Sequence, residues 1–314
     1  MSEAWRVAVV IPNYNGRSFI LNCLEAVQRQ TVRPAEVVVV DNGSTDGSDR
    51  LIEESFPDVV LVRHDRNAGF GAAANLGFRR TRSPWVAVLN SDATPAPDWL
   101  ALLEPHAVED VWAIGGVLVT PEGRVESAGD AYDVGGFAYK LLRGQDLGAL
   151  PAHPYDVFAP PGAAPVYRRS VFESIGGFHE PFFLYYEDVD LAWRGRLAGW
   201  RAVVVPTAHV SHLGQGSGIA ARSWRCIGRN SAWCAVRDHP FVTPAAIWRR
   251  TRREARTARQ RGMLSPYLRG RLDFVGRLPV ALAQRRKIQR TRVVDDAAVR
   301  AFLGTPAELA GLHR

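Results

Sequence analysis

The chain has 314 residues and a net charge of +7, and this length allows one large domain with an appendage. No apolar run approaches the roughly 18 residues of a membrane span, and the first residues lack the basic region of a signal peptide. The cysteines Cys23, Cys226 and Cys234 are odd in number and lack CxxC spacing, which predicts reduced thiols in a cytosolic protein.

Strands and helices are predicted to alternate four times near the N-terminus. Apolar runs at 7–11, 36–41, 59–62 and 85–89 predict strands, and helical spacing of apolar residues between them predicts helices, the last over 72–80. Because each strand is nearly all apolar, helices should cover both faces of the sheet. The pattern predicts an α/β fold with a parallel sheet built from βαβ units.

Polar side chains collect where these strands end. In an open α/β sheet, ligands bind just beyond the carboxyl ends of the strands. We therefore expect a polar crevice that suits a nucleotide, with Asp41 bonding to the ribose or the base. Asn, Asp and Gly are also ordinary turn residues, so a turn remains the alternative at each position. The residues are Asn13, Asn15, Asp41, Asn42, Arg66, Asn67, Asn90 and Asp92.

Asp92 follows the fourth predicted strand, after Asn90 and Ser91. A carboxylate at a strand end is a natural ligand for a hard divalent cation such as Mg²⁺ or Mn²⁺. The alternative is that these three residues form a turn or cap the next helix.

A loose dinucleotide-binding pattern also occurs. Gly69, Gly71 and Ala74 fit G-x-G-x-x-A, and Asp92 lies about twenty residues further on. The pattern should follow its strand directly, but the charged segment 63–67 intervenes and the match falls in the third βα unit. An NAD-dependent sugar-nucleotide dehydrogenase or epimerase is therefore a minor alternative.

The second half of the chain has weaker signals. We predict a loop over the site at 149–165, which is rich in Pro and Ala, and a helix at 169–175 that stops at two glycines. His209 or His212 is expected just beyond the end of the last strand, where one imidazole would complete a metal site with Asp92. Strands are predicted at 114–119, 166–168 and 200–205.

Three acidic residues, Glu187, Asp188 and Asp190, open a predicted helix that follows an aromatic stretch. Acidic residues near a helix N-terminus are favourable in any helix, so capping is one interpretation. A carboxylate held ionised there can also accept a proton from an attacking hydroxyl. Three acids in four residues exceed what capping needs, which favours a functional role.

The C-terminal segment is strongly basic. Residues 222–292 contain 19 of the 39 Lys and Arg residues and only three acidic residues, so they carry +16 and the rest of the chain −9. Arginines interleaved with tryptophans such as Trp248 favour contact with an anionic membrane surface. A solvated charged face and a helix packed on the main domain are the alternatives. An arginine-rich nucleic-acid-binding protein is a further one, but it leaves the acidic residues at 187–190 unexplained.

Taken in order, these motifs resemble family 2 glycosyltransferases, inverting enzymes with the GT-A fold, and especially their rhamnosyltransferase-like branch. Any one motif is weak alone, and together they are specific. The resemblance covers roughly residues 7–217. It rests on the segments 10–16, 40–47, 66–71, 89–92, 176–178 and 187–191, with Asn75, His212 and Gly214.

The resemblance implies a GT-A fold, which has a Rossmann-like, mostly parallel central sheet with flanking helices. A catalytic domain would span 1–220, with a nucleotide-binding half (1–110) and an acceptor-binding half (111–220). A basic, mainly helical C-terminal segment would follow at 221–314.

The resemblance also implies roles for single residues. Asp188 would be the catalytic base, and Glu187 would position the acceptor. Asp92, with His212 as a further ligand, would hold Mg²⁺ or Mn²⁺, and Asn90 replaces the first acid of that motif. The nucleotide-sugar donor would contact Pro12, Asn13, Tyr14, Asn15, Asp41, Asn67, Asn75, Asn90 and Ser91.

The implied reaction belongs to cell-surface polysaccharide synthesis. The donor expected first is dTDP-rhamnose, and the acceptor a saccharide or a lipid-linked saccharide. We expect a cytoplasmic protein in peripheral contact with the anionic inner face of the cell membrane, without a nucleic-acid partner. A glycosyltransferase fold that only binds its ligand is the last alternative.

Overall fold

A computed structural model describes residues 5–214 and 220–304 of the chain. The beginning and the end of the predicted domain 1–220, and residues 305–314 of the predicted C-terminal segment, lie outside the described residues.

Strands and helices alternate in the N-terminal part of the described chain, short strands follow one another in the middle, and four helices come last. The strands are β1 (Val7–Asn13), β2 (Glu36–Asp41), β3 (Val60–Arg63), β4 (Trp85–Val88), β5 (Ala93–Pro95), β6 (Val111–Val119), β7 (Val125–Ser127), β8 (Asp130–Tyr132), β9 (Ala138–Lys140), β10 (Tyr155–Val157), β11 (Val166–Arg168) and β12 (Arg201–His212). The α-helices are α1 (Ile20–Gln28), α2 (Ser48–Ser55), α3 (Phe70–Arg80), α4 (Trp99–Leu103), α5 (Arg169–Ser174), α6 (Glu187–Leu197), α7 (Ala220–Asp238), α8 (Pro244–Gln260), α9 (Leu264–Arg290) and α10 (Asp296–Ala301).

The N-terminal half confirms the predicted alternation of strands and helices. β1 pairs in parallel with β2 and β4, and β2 pairs in parallel with β3, which gives the order β4-β1-β2-β3. Val9 and Val10 are fully buried in two separate apolar clusters. Consecutive residues of β1 therefore pack on opposite faces, as expected for a sheet covered by helices on both sides.

The second half of the sheet is mixed. β11 lies antiparallel between β4 and β6, β6 pairs in parallel with β12, and β10 forms the edge. The short strand predicted at 166–168 and the helix predicted at 169–175 are confirmed. The predicted loop at 149–165 is only partly correct, because Tyr155–Val157 forms β10 against β12. Three residues are too few to show the alternation that identifies a strand.

The strand predicted at 200–205 is much longer in the structure. β12 is interrupted by an irregularity between Val204 and His209, then pairs again with β6 and also with β5. Pro206 lies at this irregularity, the kind of position where a sheet tolerates proline. His209 and His212 therefore lie within the strand, and the prediction that they follow its end is wrong; His212 is its last residue.

The basic C-terminal segment begins with α7, which packs on the main domain. The ring of Trp233 on α7 lies 5.4 Å from that of Phe182. Both residues belong to an apolar cluster that also contains Trp193 of α6 and Phe274 of α9. The alternative in which the basic segment packs on the main domain thus holds for α7 and α9. Within the described ranges, we find no helix that is both long and apolar enough to cross a membrane.

Candidate active site

The polar strand ends meet at a cleft of about 500 Å³. Among the predicted site residues, its lining includes Pro12, Asn13, Tyr14, Asn15, Asn67, Asn90, Ser91, Asp92 and His212. It also includes Asn42, which was expected in the crevice because of its polar strand-end position. The lining residues that were not predicted are Phe19, Gly69, Phe70, Phe183, Leu184, Gly214 and Arg222.

Asp92 and His212 are adjacent because of strand pairing. Ala93 at the start of β5 pairs with His212 at the end of β12. The amide of Leu213 also donates to the Asp92 carbonyl oxygen at 3.1 Å. This register places His212 Nε2 3.3 Å from Asp92 Oδ1, with both side chains largely buried.

Glu126 on β7 fixes the orientation of the His212 ring. Its Oε2 atom lies 2.7 Å from His212 Nδ1, and its Oε1 atom accepts from Lys140 Nζ at 2.6 Å. Burial opposes ionisation of Glu126, but the bonds from His212 and Lys140 outweigh it and lower its pKa to about 2. An ionised carboxylate only accepts hydrogen bonds, so Nδ1 donates and Nε2 points towards Asp92. Glu126 was not predicted, because its partner lies 86 positions away.

In this structure His212 Nε2 and Asp92 Oδ1 form an ion pair, and the two side chains would be neighbouring ligands if a divalent cation replaced the Nε2 proton between them. Adjacent ligands of an octahedral ion with bonds of about 2.1 Å lie about 3 Å apart, and the observed separation is 3.3 Å. In the described part of the chain, no three His, Cys, Asp or Glu side chains are grouped for a metal ion. The other ligands would therefore be water and donor phosphate oxygens, as is usual for Mg²⁺.

The Asp41 carboxylate accepts hydrogen bonds from within the protein. Its Oδ1 atom accepts from Asn13 Nδ2 at 3.0 Å and its Oδ2 atom accepts from the Ser44 amide at 3.0 Å. Both Asp41 and Asn13 are buried. Of these two residues, Asn13 lines the cleft and Asp41 is not in its described lining. In this structure Asp41 orders the loop that follows β2.

Asn42 and Asn67 shape the side of the cleft next to α3. Asn42 Nδ2 donates to Asn67 Oδ1 at 3.1 Å and lies 3.1 Å from the Gly69 carbonyl oxygen. Gly69 has φ of +93°, and a Cβ there would lie 2.4 Å from the Phe183 carbonyl oxygen. Gly69, the first glycine of the loose G-x-G-x-x-A pattern, thus permits close approach of the backbone at Phe183.

Asn75 lies apart from the other predicted donor-binding residues. Its amide nitrogen donates to the Phe178 carbonyl oxygen (2.9 Å) and to Glu180 (3.0 Å), and its Oδ1 accepts from the Phe178 amide (3.0 Å). It borders a second cavity of about 540 Å³ together with Phe178 and Glu180. These contacts fasten α3 to the segment after α5, and they occupy the whole polar end of the side chain.

Glu187 and Asp188 lie in the first turn of α6. Asp188 Oδ1 accepts from the Val189 amide at 2.8 Å, and a Cβ on Gly162 would lie 2.6 Å from Asp188 Oδ2. Glu187 is buried, and its Oε2 has no hydrogen-bond partner among the described residues. Burial and the charge of Asp188 raise the pKa of Glu187 to about 8. Burial likewise raises the pKa of Asp188.

The structure adds Asp130 to this acidic group. Burial and the nearby Asp188 carboxylate raise the pKa of Asp130 to about 7. Its Oδ1 accepts from Ser127 Oγ at 3.1 Å, and its backbone pairs with Ala159 in an isolated bridge. Asp130 was missed because it lies in a weakly patterned, glycine-rich stretch of the sequence.

Asp190, the third acid of the cluster, has a structural contact set. It forms ion pairs with Arg194 of α6 and Arg237 of α7. Burial opposes ionisation, but these two arginines outweigh it and lower the pKa of Asp190. Asp190 therefore has a structural contact set, and the predicted functional role remains a prediction for Glu187 and Asp188.

The loop that leads into α6 is strained and clamped. Phe183, Tyr185 and Tyr186 have φ of 65°, 67° and 72°, a region that costs roughly 1–3 kcal/mol for each non-glycine residue. Asn230 of α7 holds it, because its Nδ2 lies 2.8–2.9 Å from the carbonyl oxygens of residues 182, 184 and 185. Arg250 of α8 donates to Tyr186 Oη at 2.6 Å. The C-terminal segment therefore fixes the position of Glu187 and Asp188.

The fold and these motifs match known proteins. The sequence profile of glycosyl transferase family 2 matches residues 8–176. An N-acetylglucosaminyl-diphospho-decaprenol L-rhamnosyltransferase from Mycobacterium tuberculosis (strain CDC 1551 / Oshkosh) is 30% identical over 237 residues, which cover 65% of this chain and 75% of that protein. A pre-mycofactocin glycosyltransferase from the same strain is 33% identical over 250 residues, covering 77% of this chain and 50% of that protein.

Solved structures share the fold. A mannosyltransferase from Pyrobaculum calidifontis in complex with GDP-Man and Mn²⁺ aligns with a TM-score of 0.54 at 22% identity, covering 98% of this chain and 80% of that chain. GalNAc-T7 with UDP, GalNAc and Mn²⁺ aligns with a TM-score of 0.60 at 19% identity, covering 73% of this chain and 47% of that chain. These neighbours have the GT-A fold, which agrees with the α/β fold predicted from the sequence.

Proposed function

The chain belongs to glycosyl transferase family 2, and from this premise we propose that it transfers L-rhamnose from dTDP-rhamnose to a saccharide or lipid-linked saccharide in cell-surface polysaccharide synthesis. It is a glycosyltransferase with a nucleotide-sugar donor. The observation that carries the proposal is the polar cleft containing Asp92 and His212, beside the loop that leads to Asp188. Family membership sets aside the dehydrogenase or epimerase alternative.

The choice of rhamnose rests on the rhamnosyltransferase relative. The name of that protein describes transfer of L-rhamnose to N-acetylglucosamine on a decaprenyl diphosphate. By analogy we propose a lipid-linked saccharide as the acceptor here. Other dTDP-, UDP- or GDP-sugars are the competing donors, and a protein that only binds the donor would show no turnover.

In the proposed mechanism, Asp188 removes the proton from the acceptor hydroxyl while Glu187 positions the acceptor. The hydroxyl oxygen attacks the anomeric carbon from the face opposite the nucleotide. The bond from that carbon to the diphosphate breaks, so the configuration inverts once and the nucleoside diphosphate leaves. The raised pKa of Asp188 suits a base, because a more basic carboxylate accepts a proton more readily.

For metal binding we propose Asp92 and His212 as ligands. A bound Mg²⁺ or Mn²⁺ supplies electrostatic stabilisation of the leaving diphosphate. Glu126 orients the His212 ring through its hydrogen bond to Nδ1, the arrangement that usually supports metal-bound imidazoles. We propose that the remaining predicted cleft residues hold the nucleotide and the sugar, and that Asp41 and Asn75 contribute by ordering the surrounding loops.

We further propose the division predicted from the sequence, with a nucleotide-binding half at 1–110, an acceptor-binding half at 111–220 and a basic segment at 221–314. The donor-side residues 12–15 and 90–92 lie in the first half, and Asp188 in the second. A polyprenyl-linked acceptor would be confined to a membrane, so we propose that the protein acts in the cytoplasm, at the inner face of the cell membrane.

The test is a thermal-shift panel of dTDP-, UDP- and GDP-sugars, each with Mn²⁺, Mg²⁺ or EDTA, followed by a transfer assay with the donor that binds. A ligand that binds only the native state raises the melting temperature. The expected result is a metal-dependent shift with dTDP-rhamnose and an inverted glycosidic product. No shift with any sugar nucleotide would contradict the proposal.

A further inference from the structure

Helices α8 and α9 form an antiparallel hairpin joined by residues 261–263. Arg271 of α9 donates to Thr251 Oγ1 of α8, and Tyr267 Oη donates to Glu254 at 3.0 Å. The higher-numbered residue of α9, Arg271, contacts the lower-numbered residue of α8, Thr251. The two helices therefore run in opposite directions. Thr251 and Arg271 mark the seam between them.

One face of α9 is apolar and exposed. Leu268, Leu272, Val275 and Leu282 recur every three or four residues, with Pro279 at the intervening position of the same stripe. Leu272 is 71% exposed and Val275 63%. The opposite face of α9 is buried, and it is there that Tyr267, Gly270, Phe274 and Ala281 lie. Exposed apolar stripes of this length mark contact sites.

The outer face of α8 is cationic. Five exposed arginines fall within an arc of about 120° at 3.6 residues per turn, and Glu254, the acid of this helix, points inward to Tyr267 and Ser231. Trp248 is 59% exposed, and the Arg252 guanidinium lies 4.6 Å from its ring centroid. The five arginines are Arg249, Arg252, Arg253, Arg256 and Arg259.

The apolar stripe and part of the cationic row emerge on the same side of the hairpin. Thr251 of α8 and Arg271 of α9 are the seam residues. On any α-helix, the residues three positions before and one position after a given residue lie about 60° and 100° from it, in the same direction of rotation around the helix axis. In an antiparallel pair, rotation in the same sense on both helices leads to the same side. Trp248 and Arg252 on α8 therefore lie on the side of Leu268 and Leu272 on α9.

We propose that this side of the hairpin docks the enzyme on an anionic lipid bilayer. We call it the docking face and define it as Trp248, Arg252 and Arg259 of α8 with Leu268, Leu272, Val275 and Leu282 of α9. The tryptophan, leucine and valine side chains enter the boundary between headgroups and acyl chains, and the arginines contact lipid phosphates. A nucleic acid would match the arginines but leave the apolar stripe in water, so the bilayer fits both halves of the face.

The docking face is connected to the loop that leads into α6. This inference rests on the proposed lipid-linked acceptor. On the inner side of α8, Arg250 bonds to Tyr186 directly before Glu187. At the edge of the cationic face, the exposed Arg253 lies 4.8 Å from the ring centroid of Phe137, in the turn between β8 and β9. One helix thus faces the bilayer on one side and holds the acceptor half of the site on the other.

The experiment is co-sedimentation of the full chain with vesicles of phosphatidylcholine alone or mixed with phosphatidylglycerol. Two double variants separate the forces: Leu272→Ser with Val275→Ser, and Arg252→Glu with Arg259→Glu. The matched controls change exposed residues outside the docking face, Val60→Ser with Val108→Ser and Arg33→Glu with Arg50→Glu. A thermal shift with the sugar nucleotide accompanies every variant as a separate measure of the donor site.

We expect strong binding only to the mixed vesicles, and a loss of at least roughly 25-fold for the arginine pair, about fivefold per residue. The apolar pair should lose a similar factor, while both controls bind like the wild type. Equal binding by all variants, or no binding by the wild type, would overturn the docking face. Binding of duplex RNA in place of vesicles would overturn it too. The donor shift stays unchanged in each of these cases, whereas its absence would count against the proposed transferase instead.

Discussion

Asp188 combines an acidic surrounding with a position at the start of a helix, and both are needed for its proposed role. We predict that Asp188→Asn lowers transfer by about 10²–10⁴-fold, the usual effect of removing a general base. The amide keeps the size of the side chain and its bond from the Val189 amide. Donor affinity measured by thermal shift should stay near the wild-type value. Transfer close to the wild-type rate would assign the base elsewhere.

Asp130 should respond to the charge of Asp188. Burial and the Asp188 carboxylate raise the pKa of Asp130 to about 7, so Asp188 is already ionised while Asp130 still holds its proton. We predict that Asp188→Asn, which removes this charge, lowers the pKa of Asp130. The measurement is NMR titration of the Asp130 carboxyl carbon in the wild type and the variant, with Asp58→Asn at an exposed turn as the control. An unchanged pKa of Asp130 in Asp188→Asn would refute the coupling.

Glu126 should control metal affinity without touching the metal. We predict that Glu126→Gln weakens the metal-dependent part of donor binding by about 10–100-fold, the usual loss when such a supporting contact is removed. The reason is that a neutral amide no longer fixes the His212 ring as the carboxylate does. The measurement is titration of Mn²⁺ in the presence of dTDP, with exposed Glu122→Gln as the control. Equal Mn²⁺ affinities in the two variants would contradict the role.

These residue contacts also show what the sequence could not reveal. The cleft residues at 12–15 and 90–92 were predictable, because apolar runs end there and parallel strands share an edge. Asp41 and Asn75 have the expected residue types, but their side chains bond within the protein. Glu126 and Asp130 depend on contacts over long sequence separations, and neither lies at the end of a recognisable strand.

At the scale of elements, predictability follows the length of the apolar runs. β1 to β4 were predicted because runs of four or five consecutive apolar residues favour strands, although β3 is only partly buried. β10 has three residues, and β12 continues past Pro206, so local pattern failed for both. The packing of α7 could not be predicted from local sequence either, because a helix rich in arginine is expected to be exposed to solvent. Arg237 is nonetheless buried, since it pairs with Asp190 of α6.

Asn230 on α7 should be required for the loop that leads into α6. We predict that Asn230→Ala costs about 1–3 kcal/mol, because the carbonyl oxygens of residues 184 and 185 lose this donor while that of Phe182 keeps Arg229. The loop then relaxes from its positive φ values, so transfer falls further than donor binding. Arg225→Ala on the same helix is the control, because its ion pair with Asp273 is exposed and worth little. Equal melting temperatures and rates for the two variants would show that Asn230 does not clamp the loop.

At the scale of the whole molecule, the catalytic domain and the C-terminal segment share one core. The third apolar cluster takes Trp193 from α6, Trp233 from α7 and Phe274 from α9. Domains that share a core in this way unfold together. The predicted boundary near residue 220 therefore marks a change of charge along the sequence, while one apolar cluster contains residues from both sides of it.

This shared core predicts a single unfolding transition for the chain. Trp233→Ala removes a fully buried indole, which costs about 3–5 kcal/mol for such side chains. Because α7 also carries Asn230, the loss should lower the melting temperature of the whole molecule and not that of the C-terminal helices alone. Near-ultraviolet and far-ultraviolet circular dichroism, recorded on the same thermal melt, should give coincident midpoints in both the variant and the wild type. Two separate transitions, with the sugar-nucleotide shift confined to one of them, would instead mean that the basic segment folds as a unit of its own.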